Sequence, residues 1–292
     1  MTRIISSLAE VSASYDALLC DLWGCLHNGV APFPAAVAAL QAYRAGGGKV
    51  VLLTNAPRPA KYVTGTLDRM GVPKDAYDLV VSSGDAAQDA MFAGAVGRRV
   101  WHLGPEKDNG FFTEVPPEWQ GQAGIELVPF EEAEGIVCTG PFDEMNEVPE
   151  DYRPRFLLAK TRGLPMLCAN PDVVVDLGDR RIYCAGALAA LYEDMGGEAL
   201  YFGKPHPPIY DLARRRLAEI GVGEEARLLA IGDGINTDVA GGEGEGMDVL
   251  FVTGGLAAGQ FGSDVEHPEA DLLEAWLAAR QHDPQFSIGR LR

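Results

Sequence analysis

Short apolar segments alternate with helix-like segments along this chain, and that alternation restricts its fold more than any other feature. Near the N-terminus the pattern predicts strands at 17–20, 50–55 and 79–83, with helices at 34–45 and 59–70 between them. The strand segments are apolar throughout, which is typical of a parallel sheet covered on both faces. The sequence therefore predicts an α/β protein with a doubly wound, Rossmann-like parallel sheet.

The same alternation returns in the last third of the chain. Strands are predicted at 200–203, 228–231 and 248–253, and helices at 208–220 and 268–280. A core domain built from two βα arrays is the expected result.

The middle of the chain is different because it is rich in turn clusters such as GPEKDNG and GPFDEMNEVPEDYRP. We expect residues 1–91 and 200–292 to form the core and residues 92–199 to form an inserted α/β domain of the cap type.

Composition excludes several classes of function. No apolar run approaches the roughly 20 residues that a membrane-spanning helix needs, and the N-terminus shows no apolar secretory segment, so we expect a cytoplasmic protein. The net charge of −18 argues against nucleic acid or an anionic membrane as a partner. The five cysteines have no metal-site spacing and are expected to be buried thiols. An anionic substrate would need positive charge concentrated locally.

Polar side chains follow four of the predicted strands, at the sheet edge where open α/β proteins build their sites. Singly, each could be a turn residue, a helix cap or a solvated loop lysine. Together they offer carboxylates, a hydroxyl and an ammonium group, which is the set that binds a phosphoryl group and a divalent cation. The residues are Asp21 in CDLWG, Thr54, Asn55 and Arg58 in LLTNAPR, Lys204 in YFGKPHP, and Asp233 and Asp238 in AIGDGINTD.

Charge suggests how these groups would act. A phosphate dianion repels a carboxylate, so Mg²⁺ between Asp21 and Asp233 would neutralise both sides. Lys204 and Thr54 would donate to the phosphoryl oxygens. Asp21 could then act as a nucleophile and form an aspartyl phosphate that water hydrolyses.

The segments DLWGCL, LLTN, GKP and GDGINTD resemble the four motifs of the haloacid dehalogenase (HAD) superfamily, over nearly the whole chain. The insertion, with CANPD and AGAL before YFGKPHPPIY, is similar to the class IIA, NagD-like branch, whose α/β cap covers the active site. The resemblance implies a hydrolase of small phosphorylated substrates such as sugar phosphates or nucleotides, and it raises a homodimer as a candidate assembly.

The resemblance also implies specific roles at the metal. Asp21 would be nucleophile and metal ligand, and the backbone carbonyl of Trp23 would be a second ligand. Asp233 would bind Mg²⁺ directly, and Asp238 would orient Asp233 or bind a metal-coordinated water.

Other roles concern the substrate. Thr54 and Lys204 would hold the phosphoryl group, with Asn55 close by. The cap loop 170–172 would face the substrate. Arg58 lies near the start of the next helix and could reach the substrate or the cap, although a surface role is equally open. The candidate substrate and cap residues are Arg58, Asn170 and Asp172.

The first motif departs from the family pattern D-x-D-G-T/V, because Trp23 replaces the second aspartate and Cys25 the last position. In the family that aspartate protonates the leaving oxygen and deprotonates the water, whereas an indole N–H is only a hydrogen-bond donor. Three hypotheses follow: a phosphatase that uses acidic leaving groups or borrows a proton, with His27 and His206 as candidate donors; a protein that binds a phosphometabolite without turnover; and a C-halogen hydrolase, whose halide leaves unprotonated.

Overall fold

The computed structural model describes residues 2–122, 124–177 and 180–292, which fall into two compact units. The first unit contains the chain up to Thr54, then Thr64–Val81 and Tyr210–Arg292. The second contains Asn55–Val63 and Ser82–Ile209. Within the described residues, no helix is long and apolar enough to cross a membrane.

The strands and helices of both units are numbered here in chain order. The strands are β1 (Arg3–Ile4), β2 (Ala17–Cys20), β3 (Lys49–Thr54), β4 (Leu79–Ser82), β5 (Arg99–Leu103), β6 (Glu126–Leu127), β7 (Gly135–Cys138), β8 (Pro165–Cys168), β9 (Val174–Leu177), β10 (Arg180–Tyr183), β11 (Glu198–Tyr201), β12 (Leu228–Gly232), β13 (Asp248–Val252) and β14 (Phe286–Ile288). The helices are α1 (Pro34–Ala45), α2 (Ala60–Met70), α3 (Ser83–Phe92), α4 (Gly110–Thr113), α5 (Arg153–Thr161), α6 (Ala185–Asp194), α7 (Pro207–Glu219), α8 (Ala240–Gly244) and α9 (Ala270–Ala278), with a π-helical turn at Ile235–Val239 before α8.

The first unit is built on a seven-stranded parallel sheet of order β1-β14-β13-β12-β2-β3-β4. All four residues of β2 are buried, since the strand lies in the middle of the sheet between β12 and β3. Cys20 pairs with Ile231 on one side and with Leu52 on the other. The predicted α/β, Rossmann-like sheet is confirmed, and this register brings the carboxyl ends of β2, β12 and β3 together.

The second unit contains a five-stranded parallel sheet of order β11-β8-β7-β5-β6 and an antiparallel hairpin, β9–β10. Alternate residues of its strands enter two apolar clusters, as the two-residue side-chain period of a strand requires. Ile136 lies in one cluster with Phe156 of α5 and Leu188 of α6, and Val137 lies in the other with Met91 of α3. The unit therefore has its own core on both faces of its sheet.

The second unit contains all of the predicted insertion 92–199 and extends beyond it at both ends. Helix α3 belongs to it because Ala87 and Met91 pack in the cluster that contains Val137. The strand predicted at 200–203 is β11, shifted to Glu198–Tyr201, and it pairs with β8 of the second sheet rather than joining the core sheet. A short apolar strand does not specify its partner, which only long-range pairing decides.

Candidate active site

Asp21 directly follows β2 and is held in place by the sheet. Its backbone N–H donates to the carbonyl of Ile231 at 2.8 Å, which continues the pairing of β2 with β12. Its exposed fraction is only 8 %. Thr54 ends the neighbouring strand β3 and is also buried. The sheet therefore fixes Asp21 at the carboxyl ends of its central strands.

Asp233 follows β12 and lies beside Asp21. Ligand atoms of Asp21, Cys25 and Asp233 all lie within 4.8 Å of one another, and all three residues are buried. The backbone N–H of Leu256 donates to Asp233 Oδ2 at 2.8 Å, which orients this carboxylate. Two buried carboxylates so close together repel each other, so the arrangement favours a cation between them.

Two glycines make room for the Asp233 carboxylate. A Cβ on Gly24 would lie 2.1 Å from Asp233 Oδ2, and one on Gly255 would lie 1.9 Å from the same oxygen. Gly24 also has φ +73°, a conformation that side chains disfavour. The backbone at both positions therefore packs directly against this oxygen, and a methyl group at either would displace it.

The donor atoms of this cluster fit a hard divalent cation. Mg²⁺ and Ca²⁺ prefer carboxylate and carbonyl oxygens. Burial, followed by the charges of Asp233 and Asp21, raises the pKa of the Cys25 thiol well above its usual value. Cys25 is therefore a neutral thiol, and the two carboxylates are the ligands that the cluster offers.

Asp238 is bonded within its own loop. Its Oδ2 accepts from the backbone N–H of Gly234 at 3.0 Å and from the Thr237 hydroxyl at 3.5 Å, and the residue is buried. It does not belong to the cluster of ligand atoms formed by Asp21, Cys25 and Asp233 within the described residues. Asp238 thus braces the loop that carries Asp233, which suits an orienting role more directly than a ligand role.

The Trp23 side chain is packed against its own loop. Its ring meets the His27 ring edge-on, with centroids 5.3 Å apart, and a Cβ on Gly29 would lie 2.3 Å from the indole atom Cη2. His27 Nδ1 accepts from the Gly29 N–H at 3.0 Å, which leaves the ring proton on Nε2. Burial lowers the pKa of His27 to about 4, so this histidine is neutral at pH 7. The indole therefore occupies this position without supplying an acid.

His206, the other candidate proton donor, lies in the second unit. Its ring stacks on that of Tyr201, with centroids 4.9 Å apart. Burial lowers its pKa. Both histidines considered from the sequence thus have environments that favour the neutral imidazole.

Asn55 and Lys204 are brought together in the second unit. The Lys204 backbone N–H donates to Asn55 Oδ1 at 2.7 Å, and Asn55 Nδ2 donates to the Lys204 carbonyl at 3.0 Å. The same Nδ2 donates to Asp172 Oδ1 at 2.8 Å. Since an amide has two N–H groups, these contacts employ both of them. Asn55 therefore ties the loop after β11 to the loop after β8.

A hydrogen bond within the loop 170–172 and close packing on α6 fix the conformation of this loop. Asn170 Oδ1 accepts from the Asp172 N–H at 2.9 Å, and Asn170 is buried. A Cβ on Gly186, in the first turn of α6, would lie 2.1 Å from the Pro171 carbonyl oxygen. Close packing on α6 thus holds this loop, and with it the Asp172 carboxylate that accepts from Asn55.

Arg58 faces a carboxylate that the sequence did not single out. Its Nε lies 3.7 Å from Oδ1 of Asp108, in the second unit. Asp108 lies in the turn-rich GPEKDNG segment, which favours a surface loop, yet its side chain is 1 % exposed. The one signal in the sequence that could have pointed to Asp108 is its position, because it is an acidic residue shortly after the end of β5.

Comparisons with known proteins identify the family of this chain. A family model described as haloacid dehalogenase-like hydrolase matches residues 18–115, and one described as HAD-hydrolase-like matches residues 201–275. A crystal structure of a haloacid dehalogenase-like hydrolase from Brucella suis is 40 % identical and covers 99 % of this chain and 100 % of its own, with a TM-score of 0.85.

Two further matches carry a named activity. A D-glycerol 3-phosphate phosphatase from Mycobacterium tuberculosis is 27 % identical over 260 residues, which are 85 % of this chain and 66 % of that protein, so the chain spans slightly less than two thirds of its length. A glycerol phosphate phosphatase structure from the same organism, in complex with magnesium, is 26 % identical with a TM-score of 0.64 and covers 86 % of this chain and 71 % of its own.

Proposed function

Because this chain belongs to the haloacid dehalogenase-like hydrolase family, we propose that it is a Mg²⁺-dependent phosphatase of a small phosphorylated metabolite. The observation that carries the proposal is the buried pair Asp21 and Asp233, whose oxygens lie within 4.8 Å of each other at the carboxyl ends of β2 and β12. Phosphatase names among the similar proteins support the reaction class.

The nucleophile in this proposal is Asp21. One of its carboxylate oxygens attacks phosphorus, the bond from phosphorus to the ester oxygen breaks, and an aspartyl phosphate forms. Water then attacks this intermediate, which releases inorganic phosphate and regenerates Asp21. Asp21, Asp233 and the carbonyl of Trp23 would hold Mg²⁺, whose charge offsets the repulsion between carboxylate and phosphate dianion.

Thr54 and Lys204 are proposed to bind the phosphoryl oxygens. An ammonium group and a hydroxyl are suitable donors to an oxyanion. The Asn55 amide holds the Lys204 backbone through two hydrogen bonds. We assign Asn55 the role of positioning Lys204 rather than that of a direct phosphate ligand.

The first half-reaction lacks an acid on the Trp23 side chain. An unprotonated leaving oxygen departs readily only when its conjugate acid is strong, and the absence of a general acid typically costs about 10²- to 10⁴-fold in rate. The neutral His27, with its pKa lowered to about 4 by burial, does not replace it as a cationic donor. We therefore expect aryl and acyl phosphates to react much faster than alkyl phosphates.

The decisive test measures Mg²⁺-dependent hydrolysis of p-nitrophenyl phosphate, acetyl phosphate and glycerol 3-phosphate by the purified protein. Asp21→Asn should abolish turnover of all three, while the matched control Asp271→Asn, at an exposed position in the first turn of α9, should retain it. Equal rates for Asp21→Asn and the parent would show that Asp21 is not the nucleophile.

A second candidate is a protein that binds a phosphometabolite without hydrolysing it. The packing of the Trp23 indole on Gly29 and His27 favours it, because this loop offers no acid at that position. Calorimetry with glycerol 3-phosphate and Mg²⁺ should then give micromolar affinity with no phosphate released over hours. Release of phosphate that depends on Asp21 would contradict this candidate.

A further inference from the structure

Cys25 adds a sulfur atom to the pair of carboxylates at the carboxyl ends of β2 and β12. Its Sγ and the carboxylate oxygens of Asp21 and Asp233 lie within 4.8 Å of one another, and all three side chains are buried in the first unit. Among the described residues, this is the one group of three acidic, histidine or cysteine side chains close enough to hold a metal ion. The function proposed above gives no part to the thiol.

The spacing of these three donor atoms suits a single metal ion. Zinc binds sulfur at about 2.3 Å and carboxylate oxygen at about 2.0–2.2 Å, so a sulfur and an oxygen on one zinc ion lie at most about 4.5 Å apart. The 4.8 Å within which the three atoms lie exceeds this span only slightly. A small shift of the side chains therefore brings all three atoms onto one ion.

The neighbouring thiol of Cys20 has a different partner. Cys20 ends β2, and its Sγ donates to the backbone carbonyl of Asp21 at 3.2 Å. It does not belong to the group of ligand atoms that contains Cys25 within the described residues. Cys25 is therefore the cysteine that faces the two carboxylates.

The donor set distinguishes between kinds of cation. Mg²⁺ prefers oxygen ligands and retains waters, so it uses the carboxylates and leaves the sulfur unbound. Zinc and other thiophilic cations favour thiolate sulfur. Three protein ligands with one open position is also a common arrangement around zinc. The sulfur should therefore give the site an affinity for thiophilic cations that two carboxylates alone do not provide.

We propose that Asp21, Cys25 and Asp233 together bind Zn²⁺ or another thiophilic divalent cation, which displaces Mg²⁺ and inhibits the enzyme. As the bond from zinc to sulfur forms, the S–H proton passes to water, and no group is oxidised or reduced. Two carboxylates balance the charge of Mg²⁺, whereas two carboxylates and a thiolate leave an excess negative charge beside Zn²⁺. That excess repels a phosphate dianion. The inhibition rests on the proposed phosphatase function, and the metal binding does not.

Cadmium tests the sulfur ligand without turnover, because a bond between cadmium and thiolate absorbs in the ultraviolet. Titration of the metal-free protein with Cd²⁺ should raise this absorption to a plateau at about one equivalent. Cys25→Ser should abolish the rise. The matched control Cys184→Ser makes the same change at a buried thiol of the second unit and should retain it. No rise in the parent, or an equal rise in Cys25→Ser, would overturn the inference.

Calorimetry separates sulfur ligation from a merely structural role of Cys25. Loss of even a group that supports a metal ligand typically costs about 10- to 100-fold in metal affinity, so Cys25→Ser should weaken Zn²⁺ binding by at least about tenfold. Its Mg²⁺ affinity should change much less, because Mg²⁺ does not use the sulfur. An equal loss for both cations would mean that Cys25 only shapes the site, which is contrary to the inference.

Asp233→Asn provides a second variant if Cys25→Ser does not fold. It removes a different ligand of the same ion and should weaken Cd²⁺ binding, followed by the same absorption, by at least about tenfold. An unchanged Cd²⁺ affinity would place the bound sulfur elsewhere and refute the shared site.

Inhibition is measured on p-nitrophenyl phosphate in the presence of Mg²⁺. Zn²⁺ should inhibit the parent, and added Mg²⁺ should relieve the inhibition. Half-inhibition of Cys25→Ser, relative to its own rate without zinc, should need at least about tenfold more Zn²⁺. A parent that hydrolyses the ester at the same rate with Zn²⁺ would refute the inhibition. A parent that hydrolyses no ester would refute the phosphatase function, and the cadmium and calorimetric results would still decide the metal site.

Discussion

A methyl group at Gly255 should disable the proposed metal site while leaving the fold intact. A Cβ at this position would lie 1.9 Å from Asp233 Oδ2, whereas real Cβ contacts are not shorter than 3.0 Å, so the carboxylate must move by at least 1.1 Å. That movement also breaks the bond from the Leu256 N–H to the same oxygen. A misplacement of about 1 Å at a catalytic group can cost about 10²-fold in rate.

Gly255→Ala should therefore lower kcat/KM for p-nitrophenyl phosphate by about 10²-fold and raise the Mg²⁺ concentration needed for half-maximal activity. Steady-state rates over a Mg²⁺ titration measure both effects. Thermal unfolding should show a small loss, because one hydrogen bond contributes only about 1 kcal/mol.

The control is Gly259→Ala, four residues further along, where a Cβ would meet no atom within 4 Å. This variant should match the parent in rate, Mg²⁺ dependence and melting temperature. If Gly255→Ala behaves in the same way, the position of Asp233 does not govern activity, and the reasoning from the carboxylate pair is refuted.

Three other substitutions test separate features. Trp23→Asp should raise the rate on alkyl phosphates more than on p-nitrophenyl phosphate, because it restores an acid for the leaving oxygen; equal changes on both would mean that protonation is not limiting. Asn55→Ala removes three buried or partly buried hydrogen bonds and should lower the free energy of unfolding in urea by about 3 kcal/mol. The exposed control Asn146→Ala should lose less than about 1 kcal/mol. Burial lowers the pKa of His102 from 6.5 to about 4. Between these two values the unfolded chain binds a proton that the folded chain does not bind, so the free energy of unfolding falls as the pH falls through this range. Between pH 7 and pH 5, protonation of His102 in the unfolded chain should lower the free energy of unfolding by about 2 kcal/mol. In urea unfolding over the same pH range, the free energy of unfolding of His102→Gln should decrease less by this amount.

The core of the fold was predictable because its signals are local. The strand Ala17–Cys20 and the helix Pro34–Ala45 have the predicted bounds, since an uninterrupted apolar run and a proline-started amphipathic segment each specify their own conformation. The strand ends that carry Asp21 and Asp233 followed from the same signals. Their proximity followed from the rule that parallel strands bring their carboxyl ends to one edge.

The partners of short segments were not predictable in the same way. The apolar strand at Glu198–Tyr201 could join either sheet, and the structure pairs it with β8. The hydrogen bonds between Asn55 and Lys204 join residues 149 positions apart. No local pattern reveals such bonds, and an asparagine at a strand end has an adequate local explanation as a helix cap.

The sequence by itself determined the α/β class, the family and the identity of the groups proposed for chemistry, including the replacement of an acid by Trp23, because these depend on periodicity and on residue types at fixed spacings. The tertiary structure decided which groups share an environment. It buried Asp108 beside Arg58, enclosed Cys25 among carboxylates as a neutral thiol, and packed Gly24 and Gly255 against Asp233. Burial and long-range contact set charge, protonation and position, and they arise only when distant segments pack together.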